Sequence, residues 1–135
     1  MLGPPATNAQ VLFSGSMSSF NNTNMGAVLR WTDGNNWYKA YIDGTHLVIQ
    51  KRVNGSTTIL NETPFTAQAG ISYNLRFRAV GSTLAAKVWQ TGNAEPDIWR
   101  ATATDNTFQS GRCGLRIQVQ SGITVHMTAF IATSQ

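Results

Sequence analysis

What most constrains this chain is a punctuated period of two. Short stretches in which apolar and polar residues alternate recur at 26–31, 37–42, 46–53, 57–62, 72–80, 83–90, 98–104, 113–120 and 124–133. Such alternation is the mark of a strand with one face buried. Between the stretches, Asp33-Gly34, Asp43-Gly44 and Asn54-Gly55 offer the positive-φ positions that tight hairpins need, and Gly81, Gly92 and Gly122 mark three further joints. Consecutive strands are therefore expected to pair as antiparallel hairpins. Residues 10–13 read as an entry strand and 14–24 as a long polar loop. No segment of helix length holds an apolar period of 3.6; at most a short turn fits around 94–97, where Pro96 interrupts any strand.

Composition agrees with an all-β chain. Only 12% of the 135 residues are charged against 41% hydrophobic, with polar positions rich in Thr, Asn, Ser and Gly, which excludes a disordered or coiled-coil chain. The length suits one domain, 1–135, divided into an uncharged strand-and-loop segment over 1–24 and a main sandwich over 25–133. The lone Cys113 rules out an internal disulfide framework and a cysteine-based zinc site. No apolar run reaches the roughly 20 residues of a membrane-spanning helix. The first ten residues have neither the basic nor the apolar region of a signal peptide.

That many short strands in one small domain must bury one face each against a second sheet, and a two-sheet antiparallel β-sandwich is the economical arrangement. Parity then assigns faces. Tyr73, Leu75, Phe77 and Ala79 point in; so do Leu84, Ala86 and Val88, Cys113, Leu115, Ile117 and Val119, and Val125, Met127, Ala129 and Ile131. If these strands share a sheet, Arg76, Arg78, Lys87, Trp89, Arg116 and His126 form one outward surface. An indole among fork-shaped donors suits a glycan: Trp89 stacks on a sugar ring, Arg76, Arg78 and Arg116 donate hydrogen bonds, and Lys87 and His126 tune charge. The competing reading is a set of solvated cross-strand partners. A loop site built from Asn36, Trp37 and Tyr38 is the alternative location. Met17 and Phe20 either close the open end of the core or contact a neighbouring molecule.

Other chemistries find less support. Glycoside hydrolysis needs two carboxylates about 5 to 9.5 Å apart, and Asp33, Asp43, Glu62, Glu95, Asp97 and Asp105 include no pair at i, i+2 on one strand face. Cys113 falls on the core parity, as a structural thiol would. His46 and His126 suggest no metal cluster, so no cofactor is expected, with calcium kept as a candidate at Asp33 and Asn35 because their loop is rich in oxygen ligands. Net charge is +4, but the cations are spread singly through strands, which does not describe a nucleic-acid binder.

The segment Gly26-Ala27-Val28-Leu29-Arg30-Trp31-Thr32-Asp33-Gly34-Asn35-Asn36-Trp37-Tyr38 resembles the LamG-like, concanavalin A-like jelly-roll modules of bacterial extracellular proteins. The resemblance continues through 47–55, 75–81 and Lys87-Val88-Trp89, then Gly92, Glu95-Pro96, Trp99, Asp105 and Phe108 to Gly111-Arg112-Cys113-Gly114-Leu115-Arg116. It implies a concanavalin A-like jelly roll, mostly non-catalytic, often attached to carbohydrate-active or adhesive proteins and sometimes binding glycans or calcium. Similar segments look like parts of actinobacteriophage minor tail or other virion proteins. Two features depart from the pattern. His126-Met127-Thr128-Ala129-Phe130 lacks the usual acidic residue, and the Glu-x-Asp-x-x-Glu signature of related glucanases is absent. The expectation is a non-catalytic carbohydrate-binding or adhesion module, extracellular or on a virion surface, with a glycan as partner and no membrane insertion. The alternative is a structural or decoration protein of a virion or other surface assembly, acting as a homo-oligomer or through virion protein partners.

Overall fold

The computed structural model describes residues 2–20, 23–118 and 122–134, and every regular element among them is a strand. In chain order these are β1 (Leu2–Ala6), β2 (Ala9–Met17), β3 (Asn24–Asp33), β4 (Asn36–Ile42), β5 (His46–Val53), β6 (Ser56–Pro64), β7 (Tyr73–Val80), β8 (Thr83–Gln90), β9 (Ala101–Thr104), β10 (Gly111–Gln118) and β11 (Val125–Ser134). They form two antiparallel sheets packed as a jelly-roll sandwich, one ordered β1-β10-β3-β4-β5-β6 and the other β11-β2-β7-β8-β9. The entry strand is longer than expected. The first four residues of the segment expected as a loop, Ser14 to Met17, pair with β11, and Ser14 and Gly15 also with β7, because Gly15 and Met17 continue the inward alternation of Ala9, Val11 and Phe13.

The core lies between the sheets. Val11, Phe13, Leu29, Tyr38, Ile49, Leu75, Phe77 and Leu84 are all fully buried, each apolar side chain contributing about 1.5 to 3 kcal/mol of transfer free energy. Met17 belongs to this core, and Phe20 packs against its edge beside Gly44. Cys113 is half-buried against the same cluster, and burial pushes its thiol up. At the β5–β6 turn, Asn54 and Gly55 take φ of 50° and 83°, the pair of left-handed residues that a two-residue hairpin demands. Gly34 does not take that conformation. Its hairpin is set instead by the Asp33 carboxylate, which accepts from the Asn35 backbone at 2.8 Å.

Two bulges overturn the simple parity. In β11, Met127 pairs with Gly15 but Ala129 with Ser14, so Thr128 is an extra residue. Beyond it the faces exchange: Phe130 packs against the core and Ile131 is 55% exposed, the reverse of the expected assignment. In β3, Val28 pairs with Gly114 and Trp31 with Arg112, three steps against two. The extra residue is near Arg30, which adopts φ of 52°.

The strands run between two ends. One carries the β3–β4, β5–β6 and β7–β8 hairpins and segment 105–110. The other carries segments 65–72 and 91–100 and the β4–β5 turn.

Candidate functional site

The expected basic face is divided and covered. Arg76 and Arg78 on β7, Lys87 and Trp89 on β8 and His126 on β11 do share the five-stranded sheet. Arg116 does not: β10 lies in the other sheet, where Arg116 pairs with Gly26 of β3. His126 is exposed, but β2 separates its strand from β7. Segment 91–100 then crosses the outer face as a strap. Glu95 reaches Arg76 at 2.9 Å and Lys87 at 2.7 Å, and the Lys87 ammonium also donates to the Pro96 carbonyl at 2.8 Å. The Trp99 ring lies 4.4 Å from the Arg78 guanidinium and 4.7 Å from the Lys87 ammonium, both within cation–π range. Burial raises the Glu95 carboxyl, but hydrogen bonds from Lys87 and Arg76 outweigh it and hold the group below its ordinary value. The cations thus meet a carboxylate and an indole supplied by their own chain. Trp89, with 7% of its surface exposed, is not the open plate that parity suggested.

The alternative loop residues are parts of the framework. Asn36 donates to the Asp33 carboxylate at 2.9 Å and accepts from the Asn54 backbone at 2.9 Å, tying two hairpins together. Trp37 is buried and donates its indole N–H to the Gly34 carbonyl at 3.1 Å. Tyr38 is fully buried and donates to Asp105 at 2.5 Å; Asp105 also receives Lys51 at 2.7 Å and the Thr107 backbone at 2.9 Å. This clasp fastens segment 105–108 across the mouth of the sandwich, and Phe108 meets the Tyr38 ring edge-on at 5.1 Å. At the calcium candidates, the Asp33 oxygens already accept from Asn35 and Asn36. Among the described residues no three His, Cys, Asp or Glu side chains gather as a metal site.

What the fold does assemble around Trp89 is a groove of about 440 Å³ at the end bearing the strap. Phe65 and Tyr73 supply its aromatic lining and Gln68, Gln90 and Asn93 its polar rim, with Trp89 bordering it between Val88 and Gln90; no charged side chain lines it. Phe65 and Tyr73 hold each other edge-on at 5.6 Å. The Tyr73 hydroxyl accepts from the Gln68 backbone at 2.7 Å, and Arg100 braces Phe65 from 5.4 Å while donating to the Pro64 carbonyl. The Gly70 backbone donates to the Met17 carbonyl at 2.8 Å, anchoring the loop to β2. The side-chain amides of Gln68, Gln90 and Asn93 make no hydrogen bond to any described residue. Three free amides beside aromatic side chains, in an uncharged cleft, can bind hydroxyl groups on a ring that offers an apolar face.

No protein-family model matches the chain, and no curated protein matches it in sequence. Its fold, however, has solved counterparts. The carbohydrate binding module CBM66 from Bacillus subtilis superposes with a TM-score of 0.80 at 17% identity, over 97% of this chain and 78% of that one. The Caenorhabditis elegans galectin LEC-6 gives 0.60 at 16% identity, over 95% and 84%. A xylan beta-1,4-xylosidase from Bacillus halodurans C-125 gives 0.67 at 18% identity over 96% of this chain, which spans only 28% of that enzyme. At such identities the likeness establishes the class, a jelly-roll β-sandwich of the kind found in carbohydrate-binding modules, lectins and glycosidases.

Proposed function

We propose that this protein is a non-catalytic carbohydrate-binding module that takes a neutral sugar in the groove beside Trp89. The observation that carries this reading is the set of free amides of Gln68, Gln90 and Asn93 beside the aromatic lining of that groove. Kinship of fold with a carbohydrate binding module and a galectin supports it. None of the six carboxylates lines the groove: Glu95 and Asp105 are held by cations, Glu62 lies 3.4 Å from His46, and Asp33 and Asp43 organise turns. A general acid and base are therefore missing where a glycosidic bond would lie. Such a module works where polysaccharide is displayed, at a cell or virion surface.

A glycan array at low and physiological salt, with and without calcium, tests the reading. Saturable binding to a narrow set of neutral sugars is expected, nearly independent of salt because no charge lines the groove. Trp89→Ala is expected to weaken that binding about tenfold or more while the fold persists. A folded wild-type protein that retains no sugar, or a folded variant that binds as before, would remove the groove from consideration.

The structural alternative has one observation in its favour. β11 is a ten-residue edge strand without Pro, Asp, Glu, Lys or Arg, and it presents Ile131 to solvent, whereas edges are ordinarily guarded by such residues. Light scattering across a concentration series separates the two readings. A stable closed oligomer disrupted by Ile131→Lys favours assembly through β11, and a monomer throughout excludes it.

A further inference from the structure

We infer that a second groove, at the opposite end of the sandwich, is a separate site for a carboxylated sugar, with Trp31 as its stacking plate and Arg112 as its anion fork. The cleft measures about 490 Å³ and is lined by Trp31, Thr32, Ser110, Gly111 and Arg112. It exists because of the β3 bulge. Met25, Ala27 and Leu29 point into the core, and unbroken alternation would send Trp31 after them. The left-handed Arg30 reverses this. The guanidinium turns inward, 3% exposed, where it donates to the Thr7 carbonyl at 2.8 Å and the Phe108 carbonyl at 2.9 Å. The indole is left half-buried on the outer side, outside the hydrophobic core.

Burying a cation while exposing a tryptophan runs against burial energetics on both counts, and a left-handed backbone adds strain to a residue with a side chain. The neighbouring strand is shaped to suit. A Cβ at Gly111 would stand 2.3 Å from the Arg30 carbonyl carbon, so only glycine permits this approach. Local rules broken together in this way point to a working site rather than a packing solution.

Arg112 supplies an independent sign. Nine of the ten Lys and Arg residues have described side chains. Among those nine, Arg112 alone makes no hydrogen bond, ion pair or ring contact. The other eight are engaged with carbonyls, hydroxyls, carboxylates, an amide or aromatic rings. A single planar fork fits a carboxylate, whose two oxygens accept in parallel. The indole takes the face of the ring bearing it, and the exposed Thr32 and Ser110 border the cleft where ring hydroxyls would lie, the Thr32 hydroxyl also donating to the Asn36 carbonyl at 3.4 Å. Uronic acid residues combine these three features.

Calorimetry with short oligomers of galacturonate, glucuronate and mannuronate, each beside its methyl ester, tests the site. At least one acid is expected to bind saturably and about tenfold or more tighter than its ester. Arg112→Ala is expected to abolish that preference, Arg112→Lys to restore part of it, and Trp89→Ala to leave it intact. The assignment is overturned if none of the three acids binds, if esters bind as well as acids, or if folded Arg112→Ala behaves as wild type. Because Trp89→Ala reports on the other groove, failure of the neutral-sugar reading is distinguishable from failure of this one.

Discussion

Replacing Asp105 by alanine is expected to cost about 2 to 3 kcal/mol of stability, toward the lower end for a broken buried ion pair because the partners keep some contact with water. The carboxylate is 11% exposed and the Lys51 side chain 22%, so both groups are largely withdrawn from solvent. Its removal strands the Lys51 ammonium, the Tyr38 hydroxyl and the Thr107 backbone N–H together. The pH dependence is a sharper signature. Burial raises the Asp105 carboxyl, but the hydrogen bonds from Lys51, Tyr38 and Thr107 prevail and hold it well below the usual carboxylate range. Stability from this group is therefore complete above its unfolded value, about 3.9, and is lost as the pH falls below it. Tyr38 behaves in the opposite sense. Burial first, then its hydrogen bond to Asp105, push the hydroxyl up to about 12. Its contribution is complete below the unfolded value, about 10, and is lost as the pH rises toward 12. Urea melts from acid to alkaline pH are expected to show a lower midpoint and flatter acid and alkaline limbs in Asp105→Ala. A variant with wild-type pH dependence would mean the clasp contributes nothing in solution.

Gly26→Ala is expected to be comparably damaging, costing about 3 kcal/mol or preventing folding. A Cβ there would stand 2.2 Å from the Ala40 carbonyl oxygen and 2.6 Å from the Tyr41 Cβ. The obstacle is largely the backbone of β4, which cannot swing aside as a side chain does. Relief requires β3 and β4 to separate at the centre of the six-stranded sheet. Gly34→Ala is the matched control, since nothing lies within 4 Å of its Cβ position and its backbone is not left-handed. Thermal melts of the two variants are expected to differ by roughly 10 °C, taking a few degrees per kcal/mol for a chain of this size. Similar melting temperatures would contradict the close approach of the two strands.

Alternation alone places the faces of β7 and β8 correctly, because both strands are free of bulges and pair residue for residue from Tyr73↔Gln90 to Val80↔Thr83. It fails at Trp31, Phe130 and Ile131 for one reason: a single inserted residue inverts every side chain beyond it, and neither Arg30 nor Thr128 announces a bulge by its chemistry. Arg116 departs from the expected surface for a topological reason. Chain order does not reveal that β10 crosses over to lie between β1 and β3. The strap was illegible because segment 91–100 has no periodicity and its landing place depends on charges distant in sequence, Arg76 and Lys87 with Glu95. Alternation puts Trp89 on an open face suited to stacking, whereas its proposed role is at the side of a cleft. The amides that surround it there, Gln68, Gln90 and Asn93, are ordinary turn-flanking letters whose convergence only the folded chain displays.

Strand polarity sets one last property of the molecule. The two grooves draw on different loops at opposite ends, separated by the length of the strands, roughly 25 Å for eight residues. Perturbations that far apart, with no shared partners, act independently. Trp89→Ala and Arg112→Ala are thus expected to combine additively in a double variant. Either end can be recut without disturbing the other, with the sandwich between them serving as an inert spacer.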